Sequence, residues 1–154
     1  MKHHNNIIFR PAMTLEELQH ALAIRAACYM GELGFDADFT FDGNDFQATH
    51  FLCYADGKPV GTMRARWFSD FVKLDRTSFL KAYRGPRILK MGAEVIFEHM
   101  RLKGYTKVIT HTNPKFTRVW KQVLGFELVE KSSLQMEGHQ YAYDELIKIL
   151  DPHP

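Results

Sequence analysis

Three basic residues crowd one turn of this chain. Arg84, Arg87 and Lys90 fall in the stretch Tyr83–Tyr105, YRGPRILKMGAEVIFEHMRLKGY, which reads as a tight turn opening into an amphipathic helix. Pro86 sits near the helix start, where its missing N–H costs nothing. Backbone N–H groups left free in that first turn converge with the positive side chains, which makes an anion site. The other reading is a solvated basic turn before an ordinary core-packing helix. A second concentration of charge has the opposite sign. Glu32, Asp36, Asp38, Asp42 and Asp45 occur within residues 32–46 with no Lys or Arg among them, interleaved with four phenylalanines. Cys28 and Cys53 lack metal spacing and read as free thiols of a reducing compartment. The histidines are scattered, with His3-His4 adjacent near the start, so no metal site is expected.

The elements that must position these groups follow from pattern. Ile7–Arg10, ended by Pro11, suits a first strand. Thr14 and Glu17 form a capping box before Leu15, Leu18, Leu22 and Ala26, which predicts a helix to about Tyr29. Residues 32–46 read as a loop or irregular helical segment. His50–Ala55 and Pro59–Phe68 are strand-like around an Asp56-Gly57 hairpin turn, and Phe71–Phe79 is a third strand. The basic turn opens a helix with apolar positions at Ile88, Val95, Ile96, Met100 and Leu102, ended by Arg101, Lys103 and Gly104. Lys107–Thr112 is a short β-branched strand. Asn113 can cap and Pro114 can open a further helix with Phe116, Val119, Trp120 and Val123 as its stripe, closed by Gly125. Phe126–Glu130 and Gln140–Ile149 read as closing strands about a turn at Glu137-Gly138. The order β-α-(acidic segment)-β-β-β-α-β-α-β-β predicts an α/β (α+β) fold. It is a single mixed, mostly antiparallel sheet with helices on both faces and one parallel pair around the long helix.

The size, 154 residues, suits one domain over 1–154 with a real core. A net charge of +2 is too small to point to nucleic acid or a membrane surface. No apolar run reaches the length of a membrane span and the start lacks a signal-peptide core, so a soluble cytoplasmic protein is expected. An exposed strand edge near the C-terminus is a place where a homodimer can pair.

This element order, with its residues, resembles the GNAT (Gcn5-related N-acetyltransferase) superfamily, and the likeness covers nearly the whole chain. In that family a strand reading roughly E-R-L-A-V-x-P-x-Y-R-G runs into a pyrophosphate-binding helix. Here the same register is Asp75-Arg76-Thr77-Ser78-Phe79-Leu80-Lys81-Ala82-Tyr83-Arg84-Gly85. Gly104 follows Arg84 at the family's usual spacing. Asn113 through Leu124-Gly125-Phe126 resembles the next motif, and Val60–Arg64 (VGTMR) looks like the mid-sheet hairpin strand. A softer likeness, at Asn44–Leu52 and Trp120–Phe126, is to acyl-homoserine-lactone and long-chain N-acyl amino acid synthases, some of which load acyl chains from acyl carrier protein.

The resemblance implies transfer of an acyl group, from acetyl-CoA or a longer acyl-CoA, to an amine by direct attack, with no metal. It places Asp75 as the base, or in a salt bridge with Arg64 or Arg76, and His111 as a second acid or base, or a satisfied core residue. It implies that the backbone of Ser78, Phe79 and Leu80 pairs with the pantetheine arm, and that Arg84, Gly85, Arg87, Ile88, Leu89, Lys90, Asn113 and Trp120 surround the cofactor. The departures are at the same places. The family loop, Q/R-x-x-G-x-G/A, is Arg84-Gly85-Pro86-Arg87-Ile88-Leu89 here, so Arg87 and Leu89 replace small residues and Pro86 removes a donor. Arg87 either pairs with phosphate or fills the site. Trp120 stands where many members carry the tyrosine that protonates the leaving thiolate. Basic residues at both strand–helix junctions, with Lys115, Arg118 and Lys121 at the second, and acids at 32–46 would suit a polyanionic cofactor at one end. At the other end they would suit an ammonium acceptor such as a polyamine or lysine side chain, with His50, Cys53 and Tyr54 near it. A GNAT-fold module without catalysis is the alternative of another class.

Overall fold

The structure is a computed structural model that describes residues 6–135 and 142–152. His3-His4 and the turn at Glu137-Gly138 lie outside the described residues. In chain order the elements are β1 (Ile7–Pro11), α1 (Leu15–Ala26), α2 (Ala37–Thr40), β2 (Thr49–Ala55), β3 (Lys58–Trp67), β4 (Val72–Phe79), α3 (Pro86–Leu102), β5 (Lys107–Thr112), α4 (Thr117–Gln122), β6 (Glu127–Gln135) and β7 (Ala142–Ile149). One seven-stranded sheet runs β1-β2-β3-β4-β5-β7-β6. Only β4 and β5 are parallel, joined by the α3 crossover. The expected mixed sheet is the observed one.

Alternation along β2 shows how the two faces are used. Phe51 and Cys53 enter the main core beneath α3 with Met63, Ala65, Val72, Leu74 and Val108. Leu52, one residue out of phase, packs with Ala21, Ile24 and Cys28 from the α1 side. The buried stripe of α3 is Ala93, Ile96, Phe97 and Met100, each large member contributing about 1.5–3 kcal/mol by burial. Val95 and Leu102, expected in that stripe, face solvent. Gly92 is required by packing: a Cβ there would lie 2.3 Å from the Phe9 ring of β1. In α1 the buried positions are Ala21, Ile24, Arg25 and Cys28, while Leu15 is exposed. Thr14 Oγ1 accepts from the Glu17 N–H at 3.1 Å, but the Glu17 carboxylate pairs with Arg10 instead of reaching back. The helix continues past Ala26 as a π-helical turn, Ala27–Glu32. None of the described helices is long and apolar enough to cross a membrane.

Candidate active site

β4 and β5 share ladder positions only at Val72–Val108 and Lys73–Ile109. Thr110 Oγ1 donates to the Leu74 carbonyl at 2.8 Å, and beyond that point no ladder joins the two strands. The cause lies in β4. Thr62 pairs with Ser78 and Arg64 with Asp75, so Arg76 and Thr77 oppose Met63 alone. This bulge puts Arg76 at φ +50°, a left-handed backbone usually left to glycine. It bends and twists the strand away from its parallel neighbour. The result is a wedge open at the C-terminal ends of β4 and β5. Thr77 Oγ1 and Ser78 Oγ on its β4 wall are buried without a hydrogen-bond partner.

The N-terminus of α3 sits at the mouth of this wedge. Gly85 is its N-cap residue at φ +155°, and no side chain caps the helix. The Leu89 N–H donates to the Gly85 carbonyl at 3.2 Å and is the first bond of the ladder. The N–H groups of Arg87 and Ile88 therefore have no intrahelical acceptor. Arg87 and Lys90 are exposed, whereas Ile88 and Leu89 pack against the main core. Leu89 thus turns inward, which corrects the expectation that its side chain crowds a phosphate cradle.

Arg84 takes a different course from the one expected. Its Nε donates to the Phe79 carbonyl at 2.9 Å, and its Nη2 pairs with Glu32 at the end of the π-helical turn. Cys28 Sγ donates to that same carbonyl at 3.4 Å. The Glu32 partner raises Arg84 above its ordinary pKa, and the Arg84 bond lowers Glu32. Burial pushes the Cys28 thiol up. The Leu80 N–H donates to the Val60 carbonyl at 2.9 Å. Two backbone groups of Ser78–Leu80 expected to meet a pantetheine arm are therefore engaged within the chain.

Asp75 is in the salt bridge weighed against its role as base. Arg64 Nε and Nη2 donate to its two oxygens at 2.8 and 2.9 Å. The same guanidinium donates to both oxygens of Asp42 at 2.8 and 2.9 Å and to Asp45 at 3.0 Å. Arg25 of α1, almost fully buried, grips Asp45 at 2.9 Å. Arg76 Nη2 donates to the Phe39 carbonyl at 3.0 Å and to Asp42 at 3.2 Å, with its guanidinium 4.4 Å from the Phe39 ring centre. Burial by itself would raise Asp42 and Asp45; the guanidinium of Arg64 at Asp42, and that of Arg25 at Asp45, outweighs it and holds each below the usual carboxylate range. The acidic segment is thus pinned to the sheet at Asp42 and Asp45 by buried arginines. Asp36 and Asp38 are exposed. His50 touches the segment, Nε2 to the Asp45 carbonyl at 2.9 Å. Cys53 faces the opposite core, and Tyr54 meets His20 at 3.3 Å. Arg64 and Arg76 were weighed as partners of Asp75 alone; their hold on Asp42 and Asp45, and the part of Arg25, escaped the sequence reading, although Arg64 within the unbroken buried run Val60–Ala65 is itself a signal that carboxylates must come to it.

His111 lies across the wedge on β5, on the same sheet face as Asp75. Its Nε2 is 2.9 Å from Glu145 Oε1 of β7, and its Nδ1 is buried without a partner. A carboxylate only accepts, so in the neutral ring Nε2 carries the proton and Nδ1 presents a lone pair. Asn113 Oδ1 accepts from the Lys115 N–H at 3.1 Å as the expected cap. Trp120 is buried in the main core, edge-on to Phe126 at 5.1 Å between centroids. It packs in the core, as its place in the expected helical stripe implies. No group of three His, Cys, Asp or Glu among the described residues could hold a metal ion.

The model of the acetyltransferase (GNAT) family matches residues 16–126. The uncharacterized protein YyaT of Bacillus subtilis strain 168 is 30% identical over 125 residues, 79% of this chain and 84% of that protein. A candidate N-acetyltransferase structure from Lactobacillus plantarum matches at TM-score 0.85 and 22% identity, over 95% of this chain and 99% of its own. Escherichia coli ElaA matches at TM-score 0.75 and 16% identity, over 93% and 99%. At these identities the solved structures share the fold.

Proposed function

The chain belongs to the acetyltransferase (GNAT) family, and from that premise we propose that it moves an acetyl or longer acyl group from coenzyme A to a primary amine by direct attack. One observation carries the reading: the wedge between β4 and β5 opens under an uncapped, basic helix N-terminus. A long ligand with an anionic middle and an extended arm fits that pair of features. The unpartnered hydroxyls of Thr77 and Ser78 fit an arm that carries amides. The N–H groups of Arg87 and Ile88 and the side chains of Arg87 and Lys90 would hold the pyrophosphate. When bound, the thioester supplies an activated acyl carbon and a thiolate leaving group.

The protein's own part is proton management and position. His111 Nδ1 takes the proton that the amine sheds as the N–C bond forms and the C–S bond breaks, and Glu145 fixes the tautomer and stabilises the imidazolium. Asp75, with both oxygens on Arg64, holds the bulge. The test is thermal unfolding with coenzyme A and acetyl-CoA. Ligand at 100 times its Kd stabilises the fold by roughly 2.7 kcal/mol, a shift of several degrees. A second reading, a module without catalysis, is favoured by the engagement of Arg84 with Glu32. Absence of any shift with either ligand selects it.

A further inference from the structure

The charge around the bulge does not balance. On the α1 side of the sheet, Arg25, Arg64, Arg66, Lys73 and Arg76 share a face with the carboxylates Asp42, Asp45, Asp75 and Glu145. All four carboxylates are already bound, three of them to Arg25, Arg64 or Arg76 and Glu145 to His111. Lys73 has no carboxylate within ion-pair distance among the described residues, yet it is half-buried, opposite Arg66 on β3 and Ile109 on β5. Burial lowers the Lys73 amine and Asp75 only partly offsets this. Arg76 uses Nη2 alone; its Nε is buried with no partner, and its backbone holds a left-handed conformation. A left-handed non-glycine residue is strained, and such residues gather at ligand sites.

These groups surround one place. Lys73 and Asp75 are on the same face of β4, and Ile109 and His111 continue that face across the wedge on β5. Tyr29, Phe35 and Phe39 close the side over Arg76, with Phe35 and Phe39 at 4.8 Å between centroids. A desolvated cationic pair beside an aromatic wall suits an anion attached to an apolar body, and it repels a polycation.

We propose that Lys73 and Arg76 form a carboxylate subsite, so that the amine acceptor is a compound bearing its own carboxylate, of the amino-acid class. This rests on the acyl-transfer reading above. The carboxylate anchors between Lys73 and Arg76, and the amine is presented toward His111. Polyamines, which the acidic segment first suggested, are disfavoured because Asp42 and Asp45 are already bound to Arg25, Arg64 and Arg76.

The experiment offers the full-length protein and acetyl-CoA a panel of free L-amino acids, their carboxamides and spermidine, with thiol release as readout and coenzyme A stabilisation measured in parallel. The expected result is turnover of at least one free amino acid with kcat/KM tenfold or more above its carboxamide. Lys73→Met then raises KM for the free acid about tenfold with little change in kcat, and Lys73→Arg restores it. Equal rates on acid and carboxamide, a preference for spermidine, or binding of coenzyme A with no free amino acid turned over overturns the subsite and leaves the donor reading standing. Loss of coenzyme A stabilisation in the native protein overturns the donor reading beneath it.

Discussion

Replacing Arg64 with Met isolates what the buried network contributes. The guanidinium is fully buried and makes five charge-assisted bonds to Asp42, Asp45 and Asp75. Removing one partner from a buried ion cluster costs about 3–5 kcal/mol, because the orphaned carboxylates stay in the interior. For a chain of this size that is a fall in Tm of roughly 6–20 °C. The pH dependence gives the sharper test. In the native protein Asp42 and Asp45 lie below their ordinary values, so their stabilisation is complete above the unfolded carboxylate pKa, and it is lost only as pH falls through the depressed folded values. In Arg64→Met, burial acts on Asp42 without the guanidinium that outweighed it, while Asp45 keeps Arg25. The variant therefore gains stability relative to the native protein as pH falls from about 7 toward 5. Melting curves followed by circular dichroism at both pH values decide it. Adding Asp75→Leu to the variant should recover part of the loss, since the pair together is replaceable by apolar groups. A single variant that melts within about 2 °C of the native protein, or keeps the native pH slope, refutes the reasoning.

Two further outcomes are expected. Arg87→Gly weakens coenzyme A binding about tenfold, ~1.4 kcal/mol, with the difference shrinking at high salt; calorimetry showing equal or tighter binding means Arg87 obstructs the site instead of serving it. His111→Asn lowers kcat by on the order of a hundredfold or more while coenzyme A affinity holds. A variant that keeps its rate assigns the proton transfer elsewhere.

The order of strands and helices was legible because it is written in local terms: the apolar run Ile7–Arg10 ended by Pro11, the strand-like His50–Ala55, the Asp56-Gly57 turn, Pro86 and Gly104 at the ends of the long helix. What a charged residue touches is not local. Asp42 and Asp45 look like a solvated acidic run until Arg25, some twenty positions earlier, and Arg64, some twenty later, are folded onto them. The clue was in the partners: Arg25 shares the buried stripe of α1 with Ala21, Ile24 and Cys28, where an unpaired cation could not stay. Leu89 and Trp120 show a related limit. A motif register says which residue stands at a position, while the rotation of the helix decides whether its side chain turns to the ligand or to the core. In both cases it is the core.

The short ladder between β4 and β5 has a mechanical meaning too. Four strands lie on one side of that seam and three on the other, and the backbone ties them at two register positions. Helix α3 spans the gap: Gly92 is seated on Phe9 of the far edge strand, and Phe97 packs against Phe126 at the root of the closing hairpin. The molecule is therefore two plates riveted by one helix. Shear between the plates is resisted by side-chain packing and only weakly by the sheet, so the stiffness of the whole is concentrated in α3.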